Sequence, residues 1–192
     1  MVIKICIACG VIVVIIKNKN KMKIIFLDID GVLNHQLWFK SQKDKRVDTD
    51  LKYNRSMIDE TRVELLNDLI KCTGAKVVIS SSWRKNYTVK ELQTILEDKG
   101  FKGEIIGLTP VLRFTGLKDY IYSVPRGNEI KAWLETNKGI LNNKMSKVPY
   151  VILDDDSDML LWQRENFFWV DPYCGLTPNI IYKAKRFLGV QK

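Results

Sequence analysis

Three apolar runs in this chain stop on residues that carry chemistry: KIIFLDIDG (23–31), VVISSSWR (77–84) and VILDDDSD (151–158). An unbroken apolar run of four or five residues reads as a strand buried on both faces, which is the habit of a parallel sheet. Helical patterns separate the runs. IDETRVELLNDLIKCTG (58–74) places Ile58, Leu65, Leu66, Leu69 and Ile70 near helical spacing and stops at Gly74. Thr88 and Glu91 form a capping box ahead of Leu92, Ile95 and Leu96, with Gly100 closing that helix. A further helix after Arg126 carries Ile130, Trp133 and Leu134, and the last has Thr177 as N-cap, Pro178 at its first position and Gly189 past its end. Two more short strands are predicted, EIIG (104–107) and FFWV (167–170). Strands alternating with helices give an α/β fold built on a five-stranded parallel sheet with helices on both faces.

One domain is expected, spanning 22–192, because 192 residues bury one sizeable core and fall short of two. A composition of 46% hydrophobic and 28% charged residues excludes a disordered chain. The formal net charge of +9 favours anionic partners, although Lys4, Lys17, Lys19 and Lys21 all precede residue 22. Residues 1–21 are set apart: VIKICIACGVIVVII is nearly all apolar and a basic KNKNK follows. Three readings stand open for it. It is short for a membrane span and interrupted by Lys4; as a signal peptide it has a weak cationic start and a basic flank; as an extension upstream of a start at Met22 it leaves MKIIFLDIDG as a sensible first strand. A membrane partner follows only if the segment is a genuine anchor. Otherwise the chain is expected in the cytoplasm, where Cys72 and Cys174 remain isolated thiols. Cys6 and Cys9 have metal spacing but no second pair. The pattern assigns no oligomeric state.

Two polar stretches interrupt the alternation, 40–55 and 108–127, and both are candidate lids or substrate loops. They are too short for a large cap, so at most a small one is expected over an open site.

In parallel α/β sheets, ligands bind beyond the carboxyl ends of the strands. Carboxylates packed there raise one another's pKa unless a hard divalent cation holds them ionised, and Mg²⁺ suits an acidic pair from each of two strands because it keeps waters and a phosphate oxygen. An oriented Asp can attack phosphorus, and a second one two residues on can protonate the leaving oxygen and then activate water. Gly31 lets the chain turn after that second acid. His35 lies near enough to touch a substrate, yet such a residue is more often a plain loop histidine.

At these residues the chain resembles the haloacid dehalogenase (HAD) superfamily of phosphohydrolases over essentially 22–188. Asp28, Asp30 and Gly31 match its first motif, with Val32 where the family usually has Thr. Ser80 matches the second, and Asp154 with Asp155 the fourth, Asp158 being a further acid. Arg126 is the choice for the third, with Lys131 as the alternative. The resemblance implies a Rossmann-like sheet in the order five, four, one, two, three. It further implies Asp28 as nucleophile, Asp30 as general acid and then base, and Mg²⁺ held by Asp28, Asp30 (through its carbonyl) and Asp154 or Asp155. Ser80, Ser81 and Arg126 would hold the phosphoryl group.

FLDIDGVLN, SSSWR, RGNEI, VILDD and DPYCGLT look more narrowly like the HAD domain of Swiss Army Knife RNA repair proteins, with the phosphatase half of polynucleotide kinase-phosphatase a more distant relative. This implies removal of terminal phosphate from RNA or DNA, with Arg84 on phosphate and Trp83 as a base-stacking platform. The plainer reading makes Arg84 an ion-pair residue and Trp83 a core side chain. The alternatives are a nucleotidase or small-metabolite phosphatase, and a non-catalytic phosphate-binding or membrane-tethered interaction module.

Overall fold

The computed structural model describes residues 2–8, 11–17, 22–42, 57–115, 121–139, 141 and 148–190. Strands β1 (Val2–Ala8) and β2 (Val11–Lys17) pair antiparallel from Val2 opposite Lys17 to Ala8 opposite Val11. The apolar N-terminal stretch is therefore a pair of strands, and no helix among the described residues is long and apolar enough to cross a membrane.

The central sheet uses β3 (Ile24–Leu27), β4 (Lys76–Ile79), β5 (Ile105–Leu108), β8 (Tyr150–Asp154) and β9 (Phe167–Trp169). Its order is β9-β8-β3-β4-β5, all parallel. Counted from Met22, that is five, four, one, two, three, as expected of a HAD sheet. Every residue of β3 and β8 is buried, which explains their unbroken apolar character. Alternate β3 side chains serve two cores. Ile25 and Leu27 join Val63, Leu66 and Leu69 of α2 (Glu60–Thr73), Leu92 and Ile95 of α3 (Val89–Glu97), and Ile181 and Ala184 of α5 (Pro178–Phe187). Ile24 and Phe26 face the other way, onto Ile130, Trp133 and Leu134 of α4 (Arg126–Thr136). Phe26 meets Trp133 and Tyr150 edge-on, at ring separations of 5.5 and 5.6 Å.

The helix ends follow the sequence signals. Thr88 and Glu91 make the capping box, Thr177 caps α5 with Pro178 behind it, and Gly74 closes α2 in the left-handed conformation. The pattern missed a short helix, α1 (Gln36–Ser41), N-capped by His35. The stretch 108–127 contains β6 (Arg113–Thr115) and β7 (Ile121–Ser123), an antiparallel pair, so this insertion is a small hairpin and not a plain loop. Of the other insertion, positions 43–55 lie outside the described residues.

Register places the chemistry. Leu27 pairs with both Ile79 and Leu153, so the next residues, Asp28, Ser80 and Asp154, come level at the carboxyl edge. Main-chain bonds extend the ladder to that edge: Asp28 N–H donates to the Leu153 carbonyl (2.9 Å) and Ser80 N–H to that of Leu27 (2.8 Å). The loop after β3 is stitched to a turn near the C-terminus. Gln36 N–H donates to the Pro172 carbonyl, Leu37 to Tyr173, and Leu176 to Val32. Gly175 (φ +70°) allows this approach, since a Cβ there would fall 2.7 Å from the His35 ring.

Candidate active site

Asp28, Asp154 and Asp155 each bring a carboxylate oxygen to within 4.8 Å of the others. Asp154 is fully buried and Asp28 nearly so. Asp154 Oδ1 accepts from Asp156 N–H (3.0 Å), whereas its Oδ2 has no hydrogen-bond donor. Burial, with the Asp28 charge beside it, pushes Asp154 up to about 8, and the same two causes push Asp155 to about 6. Burial also raises Asp28, against the pull of Arg126 and a hydrogen bond from Ser81. Buried oxygens that lack a donor and carboxylates driven toward protonation are what a hard cation would correct, so this donor set fits a divalent ion.

Gly31 makes the cluster geometrically possible. Its φ is +73°, and a Cβ there would lie 2.3 Å from Asp155 Oδ2, so the turn after Asp30 and the Asp155 carboxylate share space only a hydrogen can leave open.

Arg126 begins α4 and reaches into the cluster. Its guanidinium stands 3.5 Å from Asp28 Oδ1 and 3.7 Å from Asp154 Oδ2, and it donates to the Ser80 carbonyl. Its main-chain N–H donates to Asp158 Oδ2 (2.7 Å), which ties the helix start to the end of the fourth acidic run. Burial opposes the Arg126 charge, but Asp154 and Asp28 outweigh it and hold its pKa above the ordinary value. Lys131 is exposed farther along the same helix. Geometry thus favours Arg126 for the cationic position. The hydroxyl of Ser80 is fully buried without a hydrogen-bond partner, a donor left available at the strand end.

Asp30 sits differently. Its carboxylate is outside the metal-type cluster and accepts from Trp83 Nε1 (3.1 and 3.0 Å to its two oxygens), Asn34 Nδ2 (2.8 Å) and Ser82 Oγ (3.4 Å). Asn34 also accepts from Gly31 N–H (2.9 Å), so one amide braces both the turn and the acid. Trp83 is only 9% exposed, with Tyr87 packed 5.9 Å away, and its N–H is committed to Asp30. That placement suits the core reading of Trp83 better than the base-stacking one, since a stacking ring needs an open face.

Arg84 is likewise placed inward. Its side chain donates to the carbonyls of Thr109 (3.2 Å), Ser80 (3.0 Å) and Ser81 (2.6 Å) and pairs with Glu129, the two side chains being 4% and 5% exposed. With four of its five N–H donors on backbone and Glu129, it braces the strand end, a placement that fits the ion-pair reading. His35 is structural too: Nδ1 accepts from Trp38 N–H and Nε2 meets Asp59 at 2.9 Å. Sequence reasoning missed Asn34 and Glu129. The first had a signal, an amide four residues after a catalytic-type acid; the second, 45 positions from its partner, had none.

Beside the cluster lies a cleft of about 360 Å³, lined by Ser82, Lys85, Arg113, Arg126 and Asp158 among others. Arg113 and Val124, at the two roots of the β6–β7 hairpin, form part of its wall. The model of a family described as "HAD domain in Swiss Army Knife RNA repair proteins" matches residues 24–180. No curated protein and no solved structure matches the chain.

Proposed function

The chain belongs to the HAD domain family of Swiss Army Knife RNA repair proteins, and from that premise we propose that it is a Mg²⁺-dependent phosphomonoester hydrolase removing terminal phosphate from nucleic acid. The observation that carries the chemistry is the convergence of Asp28, Asp154 and Asp155 with Arg126 and the unpartnered Ser80 hydroxyl at one sheet edge. Asp28, Asp154 and Asp155 would hold the ion, joined in this reading by the Asp30 main-chain carbonyl. Bound there, Mg²⁺ keeps the carboxylates ionised and offsets phosphate charge.

The residues then divide the work. An Asp28 carboxylate oxygen bonds to phosphorus as the bond from phosphorus to the leaving oxygen breaks, and Asp30 gives that oxygen its proton. Asp30 next takes a proton from water, whose oxygen attacks phosphorus, releases orthophosphate and restores Asp28. Ser80, Ser81 and Arg126 stabilise the charge on the transferring group. Lys85 and Arg113 along the cleft favour a polyanion, and the free thiols of Cys72 and Cys174 suit the cytoplasm. A second reading, a nucleotidase or small-metabolite phosphatase, draws support from the size of the cleft, which is that of a small-molecule site.

Phosphate release by the purified chain tests both. A 3′-phosphorylated oligonucleotide, nucleoside monophosphates and an aryl phosphate are compared with and without Mg²⁺, with Asp28→Asn as control. Preference for the oligonucleotide, lost in the variant, is expected. Preference for monophosphates selects the second reading, and turnover that ignores Asp28→Asn overturns the mechanism.

A further inference from the structure

We propose that Trp83 is a positioning residue for the proton-transferring carboxylate, holding Asp30 through its indole N–H; this rests on the phosphatase reading above. Asp30 is an exposed residue, yet a side chain 53 positions away donates to both of its oxygens. An exposed aspartate needs no such partner, because water satisfies it. A buried indole does need one, and a neighbouring main-chain carbonyl is the usual choice. Here the N–H goes instead to the acid that the proposed chemistry uses for proton transfer.

The anchor is built in. Trp83 lies in the short 3₁₀ turn Ser82–Lys85, capped by Ser81, and belongs to the core cluster that also holds Ile29 and Ile79. That turn follows Ser80 and Ser81 directly, so the strand end that holds phosphate and the donor that orients Asp30 are one continuous segment. One N–H shared between both oxygens restrains the carboxylate's rotation about its terminal bond; Asn34 and Ser82 complete the set of donors. General acid catalysis is sensitive to such placement, because a misplacement of about 1 Å can cost a factor on the order of 10².

Proton donation matters when the leaving oxygen is a poor leaving group and little when it is a good one. The test is therefore first-turnover alcohol release from an alkyl phosphate and from a nitrophenyl phosphate, by the full chain with Mg²⁺. Trp83→Phe keeps most of the ring volume and deletes the donor. A benzothiophene isostere at position 83 keeps the bicycle as well, and serves if the phenylalanine variant folds poorly. Either change is expected to slow the alkyl substrate by about 10- to 100-fold, part of the roughly 10²–10⁴ a general acid supplies. The nitrophenyl reaction should change by less than about 3-fold on the same principle, with KM unaltered. In an Asp30→Asn background the Trp83 change should have no further effect.

Equal losses on both substrates, or losses that add fully to Asp30→Asn, overturn the positioning role. If Asp30→Asn slows the alkyl substrate and the isostere does not, Trp83 alone is refuted. If Asp30→Asn costs nothing, the phosphatase reading of Asp30 fails and this inference falls with it.

Discussion

Two groups of buried charge sit at the same sheet edge and are built in opposite ways. Arg84 and Glu129 form a closed unit: three backbone carbonyls and one carboxylate take four of the guanidinium's five donors, and Glu129 also accepts from Leu112 N–H (3.0 Å). Asp28, Asp154 and Asp155 form an open one, with more negative charge than Arg126 alone offsets and with Asp154 Oδ2 and the nearby Ser80 hydroxyl left without hydrogen-bond partners. Satisfied polar burial holds a shape. Unsatisfied polar burial, kept at a cost to stability, marks where something else is meant to bind.

The sharpest way to separate the two is to remove one charge from each. Asp28→Asn should cost activity by about 10⁴-fold or more, the scale of losing a nucleophile. In chelator its melting temperature should equal or exceed that of the parent, because one repelling charge has gone; calorimetry beside an activity assay reads both. Arg84→Met should do the reverse. It strands the buried Glu129 charge at a cost of about 3–5 kcal/mol in urea unfolding, and Arg84→Met with Glu129→Leu should recover much of that loss. A stable Arg84→Met protein without activity would break the comparison and return Arg84 to the substrate.

Gly31→Ala probes the seam between acid turn and cluster. The left-handed conformation alone costs about 1–2 kcal/mol for a residue with a Cβ, and displacement of Asp155 should weaken the Mg²⁺-induced rise in melting temperature. A further effect is a pH dependence. In chelator the folded chain retains a proton on Asp154 between its unfolded value of 3.8 and about 8, so this group's contribution to stability is full below that window and is lost as pH rises through it. Mg²⁺ should therefore raise the melting temperature more at alkaline than at acidic pH, and Asp154→Asn should flatten the difference.

Much of this was readable in advance for a physical reason. Strand interiors and helix caps are local, so β3, β4, β8, the Thr88–Glu91 box and the Thr177–Pro178 start follow from neighbours in sequence. The acids and serines were visible because they end apolar runs where no buried strand would want them. What could not be read were pairings across the fold. The sequence offers Trp83 and Arg84 as an aromatic and a cation beside a phosphate site, and only tertiary placement turns one toward Asp30 and the other toward Glu129. The short strands of the β6–β7 hairpin carry too little pattern to stand out from a loop.

The stitching of the loop after β3 to the turn at 172–176 has a consequence for how the protein is made. Asp28 leaves the ribosome well before the carbonyls of Pro172 and Tyr173 and the N–H of Leu176, which brace the loop that follows it. Until then the Asp28 loop lacks its brace and β3 lacks β8, its neighbour in the sheet. A nascent chain can form the β3–β4 half of the site and wait. Completion of the acidic site thus waits on the later strand, and a translation product interrupted before β8 carries Asp28 and Asp30 without Asp154 and Asp155 beside them.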